Sequence, residues 1–158
     1  MQGAIRLAEV IRREYGIRGL ATQDEVDRIA HEQGFNVWHE AGLTGPVKGF
    51  RLFELIATAK GLANGGRLAV TCHELGHALL HTSNAMYVEQ TSRRMLADKQ
   101  EQEAQVFAMV LLLGPLDEGF DGRMHDAYDN GVPMEFLCSG INALLVEHGG
   151  YITLTASD

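Results

Sequence analysis

Apolar residues recur at mixed three- and four-residue spacing over residues 2–15. Ile5, Leu7, Ala8, Val10 and Ile11 mark one side of an amphipathic helix there, and Gly16 ends it. Thr22 precedes Asp24 and Glu25, a helix-start signal for residues 24–31, and Gly34 closes that segment. The period then shortens. Phe35, Val37 and His39 alternate with polar neighbours, and residues 46–53 and 54–62 form β-like runs punctuated by Gly42, Gly45, Gly49 and Gly61. Three strands in a small, mostly antiparallel sheet are expected, followed by a turn at Asn64-Gly65-Gly66. Helical periodicity returns over 68–82, and a less regular link covers 83–96. Asp98 with Glu101 gives a capping-box-like start to a helix running to 113, stopped by Gly114-Pro115. A loop rich in Gly and Asp follows, then a last helix over 132–147 and a short strand over 152–154. The pattern predicts an α+β chain forming one domain over 1–158. Its parts are N-terminal helices in 1–33, a sheet in 34–63, helices over 68–82 and 98–113, and a helical region over 116–158.

A chain of 158 residues with 46% apolar content can bury a sizeable core. The longest apolar run, 106–116, is too short to span a bilayer and is broken by Gly114-Pro115. No membrane association is expected. Arg6 interrupts any apolar signal core at the N-terminus. Two cysteines, Cys72 and Cys138, are too few for a disulfide framework, which points to a reducing cytosol. The formal net charge is −8, and from Leu116 onward eight acids face one base, Arg123. That balance disfavours nucleic acid and suits a basic protein partner; a solvated acidic surface is the plain alternative.

One stretch carries chemistry. In "TCHELGHALLH", residues 71–81, His73 and His77 stand four apart and Glu74 follows the first. With about 100° per residue, His73, His77, Glu74 and His81 gather within roughly 100° of helix face. Cys72, Leu75, Gly76 and Leu79 lie on the other side, which should pack on the sheet. Imidazoles one turn apart can share a cation, and the adjacent carboxylate can take a proton from water that the cation acidifies. Chance occurrence on an ordinary helix competes with this reading, but Gly76 in mid-helix costs about 1 kcal/mol relative to alanine. Its missing side chain implies close approach by another backbone, such as a strand.

A third ligand is required. Position 83 is Ser, so a third histidine six residues after His77 is absent. His81 lies roughly 12 Å along the helix from His73 and is placed to support the ligands rather than to join them. The helix after Asp98 offers Glu101 and Glu103, about 200° apart, and periodicity does not choose between them.

"HELGHALLH" followed by "KQEQEAQVFAMVLLLGP" resembles the ImmA/IrrE family of metallopeptidases. That family combines H-E-x-G-H-x-x-x-H with a later Glu-Ala pair, a Phe-Ala pair and a leucine-rich helix ending at proline. The matching residues are Glu103-Ala104, Phe107-Ala108, Leu111-Leu112 and Pro115. "GGRLAVTC" and "LLLGP" depart from the usual flanking patterns without touching a ligand. The resemblance implies a zincin-like fold with the sheet packed on the motif helix. It selects Glu103 as the third ligand beside His73 and His77, holding Zn2+, with Mn2+ or Fe2+ also compatible with the donor types. It implies a regulatory endopeptidase that cleaves a helix-turn-helix repressor of phage or mobile-element type.

In that scheme Glu74 is the general base, and His125 and Tyr128 are candidate donors to the oxyanion, with plain surface placement the competing reading. Rival functions are a metal-stabilised protein that sequesters a repressor without cutting it, and a member of a toxin–antitoxin pair.

Overall fold

The computed structural model describes residues 2–43, 45–81 and 90–147, with residues 90–97 and 147 described by backbone alone. Two short helices come first, α1 (Gln2–Glu14) and α2 (Gln23–Glu32). Three strands follow, β1 (Asn36–Ala41), β2 (Gly49–Leu52) and β3 (Leu55–Ala59). The remaining elements are α3 (Asn64–Leu80), α4 (Gln90–Leu113), α5 (Phe120–Asp129) and α6 (Met134–Glu147). The α+β class expected from the sequence is what the structure has.

At the N-terminus of α2 the Thr22 side chain accepts from the Glu25 amide at 3.2 Å. The Glu25 carboxylate in turn accepts from the Thr22 amide at 3.0 Å. This reciprocal cap satisfies two amides that the helix itself leaves unpaired.

The sheet is mixed, with order β1-β3-β2. β2 and β3 form an antiparallel hairpin, and β1 pairs with β3 in parallel. The hairpin places β3 in the centre, where Ile56, Ala57 and Thr58 are fully buried, and β1 docks on the free side of β3. The sequence leads to the expectation of a mostly antiparallel sheet; of its two pairings β2–β3 is antiparallel and β1–β3 is parallel, because β1 docks on the side of β3 away from its hairpin partner. The two-residue hairpin turn puts Phe53 at φ 51, a region that such turns need and that glycine usually supplies.

α4 is the central post. Every residue from Val106 to Leu113 is fully buried, as expected for a helix that is apolar all round. α1, α3, α5 and α6 pack against it, and α3 also touches β2 and β3. α3 is therefore held between the sheet and α4, with α2 as a further neighbour.

Three boundaries differ from expectation. Asn64-Gly65-Gly66 is the first turn of α3 rather than a free turn, and glycine at 65 lets that turn lie against the backbone of Gly131 and Val132, where a side chain would collide. α4 is already helical at Gln90, so Asp98 lies inside it and caps nothing. The Gly- and Asp-rich segment expected as a loop contains α5, which tertiary contacts hold. Arg123 donates to the carbonyls of Leu113 and Pro115, and Ala127 is fully buried. The expected strand over 152–154, and the link before residue 90, fall outside the described residues.

Candidate metal centre

The centre is built where α3 crosses α4. A Cβ on Gly76 would stand 3.0 Å from the Ala104 carbonyl oxygen and 3.0 Å from the Phe107 ring. The backbone approach that Gly76 permits thus comes from a helix, not a strand. With Ala104 as the contact point, Glu101 lies one turn earlier and about 60° round α4, whereas Glu103 lies about 100° round the other way.

The Glu101 carboxylate consequently spans the two motif histidines. Its Oε2 is 3.0 Å from His73 Nε2, its Oε1 is 2.8 Å from His77 Nε2, and the two ring nitrogens are 3.2 Å apart. Among the described residues these three side chains are the one group of His, Cys, Asp and Glu whose ligand atoms converge on a common point.

Glu103 does not join them. It pairs with His81, Oε2 to Nε2 at 3.0 Å, and with Lys99 at 3.7 Å. The expectation that Glu103 completes the set with His73 and His77 is not met by this geometry, and Glu101 takes that position. His81 in turn faces His77, with their Nδ1 atoms 3.1 Å apart.

Hydrogen bonding fixes the rings. Gln105 donates through Nε2 to the Phe136 carbonyl at 2.9 Å, so its Oε1 must be the atom 2.8 Å from His73 Nδ1. His73 Nδ1 therefore donates, and in the neutral ring Nε2 is left as a lone pair. The chain His77 Nδ1–H to His81 Nδ1, then His81 Nε2–H to Glu103, leaves His77 Nε2 as a lone pair by the same logic. Three acceptors then converge on one point, an arrangement that calls for a cation.

The spacing suits a metal ion. Tetrahedral ligands about 2.0–2.1 Å from Zn2+ stand roughly 3.3 Å from one another. The separations of 2.8, 3.0 and 3.2 Å lie within a few tenths of an ångström of that.

Electrostatics follow the same geometry. With a proton rather than a metal cation between them, hydrogen bonding to His73 and then His77 holds the Glu101 carboxyl far below the usual carboxylate range, against the opposing effect of burial. Burial pulls the His73 ring down, but the hydrogen bond and charge of Glu101, with Glu74 and Gln105 adding, raise it overall. A proton on His73 is thus the alternative occupant of the cation's place. Burial raises the Glu74 carboxyl, and the neighbouring His73 and His77 only partly oppose it.

Glu74 and His73 line a cleft of about 520 Å³. Lys48 and Gly49, at the start of β2, form one wall, and Pro133, Phe136 and Ser139 of the α6 region form another. A Cβ on Gly49 would stand 3.0 Å from the Ala57 carbonyl oxygen and 3.3 Å from Glu74 Cγ, so glycine lets β2 lie directly against the motif helix.

His125 and Tyr128 are not brought to this cleft. The His125 side chain is 76% exposed beside Asp121, and His125 and Tyr128 line a separate shallow hollow with Met124 and Leu137. The helical turn of α5 carries them outward. Gln105 is the functional residue that the sequence reading passed over. Its signal in the sequence is a polar side chain directly before the apolar run that starts at Val106, and in the fold it is only 7% exposed.

The family model Peptidase_M78, the IrrE N-terminal-like domain, matches residues 30–118. The chain belongs to this family. The Peptidase_M78 match begins at the end of α2 and runs past the end of α4, so it contains the sheet, the motif helix and the helix carrying Glu101, Glu103 and Gln105. Membership of Peptidase_M78 points to peptidase activity. No curated protein and no solved structure matches the chain. No helix among the described residues is long and apolar enough to cross a membrane.

Proposed function

We propose that the protein is a zinc-dependent endopeptidase, with His73, His77 and Glu101 as metal ligands and Glu74 as general base. The observation that carries this reading is the convergence of three acceptor atoms beside a buried carboxylate that opens on a cleft. A bound Zn2+ would supply Lewis acidity, lowering the pKa of water and polarising the scissile carbonyl.

The chain's own residues supply the rest. Gln105 holds His73 in one tautomer, and His81 with Glu103 holds His77 in one tautomer. Glu74, raised by burial, is suited to accept a proton from the attacking water and return it to the leaving amine. β2 is an edge strand beside the cleft, and an extended peptide could add to it through backbone hydrogen bonds.

The substrate we propose is a protein, a helix-turn-helix repressor of phage or mobile-element type. The resemblance of the motif pair to ImmA/IrrE proteins suggests it. The acidic region after residue 116, eight acids against one base, favours a basic partner.

The test is Glu74→Gln. The variant should keep its metal and lose peptide cleavage by about 10²–10⁴-fold, measured on a pool of unstructured fluorogenic peptides. Undiminished cleavage would remove Glu74 from the mechanism. Release of a repressor from its operator without cleavage, equal in variant and wild type, would favour sequestration instead.

A further inference from the structure

A second hollow, of about 530 Å³, lies away from the cleft, where the end of α1 meets the end of α4. Arg12, Arg13, Arg18 and Arg123 line it, with Glu9 and Pro115. None of these residues lines the cleft. Leu113, beside the hollow, is 12 residues from Glu101 along α4, roughly 18 Å of helix.

Two of the arginines have structural duties. Arg12, 7% exposed, donates to the carbonyls of Leu111 at 2.7 Å and Gly19 at 2.6 Å. Arg123 donates to the carbonyls of Leu113 and Pro115 and pairs with Asp117 at 2.8 Å. They satisfy the exposed carbonyl end of α4 from both sides of Gly114. The carbonyls offset their charge only in part, and burial together with the charge of Arg123 lowers the Arg12 pKa.

Arg13 and Arg18 have no such duty. Both are exposed, and among the described residues neither side chain makes a hydrogen bond or an ion pair. Four guanidinium groups line the hollow against one wall carboxylate, Glu9; Asp117 pairs with Arg123 and the charge of Glu25 reaches Arg12, so the lining stays net positive. This occurs in a chain whose formal net charge is −8.

We propose that this hollow binds a small molecule bearing a phosphate group. Guanidinium forks match phosphate oxygens in pairs; Arg13 and Arg18 present free forks, while Arg12 and Arg123, whose donors backbone carbonyls engage, add positive charge fixed in place. The volume lies within the ordinary range of small-ligand sites, about 300–1,000 Å³. Glu9 is an acceptor for a hydroxyl or amine elsewhere on the ligand. A small anion senses the field within about 8–10 Å, a reach that takes in the four arginines of the hollow. A nucleic acid strand would run out over the acidic remainder of the surface, so the charge balance favours the small ligand.

The experiment titrates inorganic phosphate into the full chain at constant ionic strength, read by phosphorus NMR shift and by isothermal calorimetry. Saturable binding is expected, weakened at least ten-fold in the double variant Arg13→Gln/Arg18→Gln, with circular dichroism unchanged. Arg13→Lys/Arg18→Lys keeps the charge and should recover part of the affinity. Equal binding by wild type and the Gln variant would overturn the proposal and move the anion to another site, the metal centre included. Non-saturable binding, or binding of a single-stranded oligonucleotide without binding of phosphate, would also overturn it.

Discussion

Gln105 stands 2.8 Å from Nδ1 of His73, and it cannot turn over, because its amide nitrogen is held by the Phe136 carbonyl at 2.9 Å. One side chain on α4 therefore sets the tautomer of a ring on α3 while anchored to α6. Gln105→Leu should keep the fold and weaken metal binding by about 10–100-fold. Competition with a chromogenic chelator measures this. Unchanged affinity in Gln105→Leu would mean that His73 needs no orienting partner.

Two glycines in α3 are spaces that other backbone occupies. Gly76→Ala gains about 1 kcal/mol of helix propensity but presses a methyl against the Ala104 carbonyl at 3.0 Å. Overpacking of this kind costs roughly 1–3 kcal/mol, so the net effect should be destabilising. Gly65→Ala meets the Gly131 backbone more closely still and should lower the melting temperature further than Gly76→Ala does. Thermal unfolding of both variants provides the comparison. A Gly65→Ala protein as stable as wild type would contradict the packing of α3 against the α5–α6 turn.

The metal-free protein should lose stability as pH rises. His73 has a raised pKa in the folded state, so its contribution is full below its ordinary value of 6.5 and fades as pH climbs through the raised value. Glu74 is raised by burial from 4.5 and acts in the same direction, because ionising it in place is unfavourable. Glu101 is depressed. Its contribution is present above 4.5 and is lost only as pH falls through its lowered value. Between pH 6 and 8 the metal-free melting temperature should therefore fall. Zn2+ should reverse the fall, since the ion takes the proton's place more readily at higher pH. The Glu101→Gln variant should show a shallower slope; an unchanged slope would dissociate His73 from Glu101.

Much of the fold was legible because local signals and tertiary structure agree. The Thr22–Glu25 cap, the apolar stripe of α1 and the Gly114-Pro115 stop all act within a few residues. The parallel pairing of β1 with β3 was not legible, since nothing local reports which strand a hairpin leaves in the middle. α5 was hidden by Gly119, Asp121 and Gly122, and it is held by Arg123 reaching back to the end of α4. At the centre, the two histidines and Glu74 sit on one helix, so helical geometry alone predicts their shared face. The choice between Glu101 and Glu103 depends on how α3 and α4 cross. Gly76 against Ala104 sets that crossing, and no periodicity within α4 encodes it.

The central claim is that Glu101 completes the metal site and that Glu103 stands behind it on His81. Metal content by inductively coupled plasma mass spectrometry, on Glu101→Ala beside Glu103→Ala after dialysis against trace zinc, tests this most directly. We expect about one zinc per chain to be lost from Glu101→Ala and largely retained, with weaker affinity, in Glu103→Ala. Full zinc in Glu101→Ala with loss from Glu103→Ala would contradict the account.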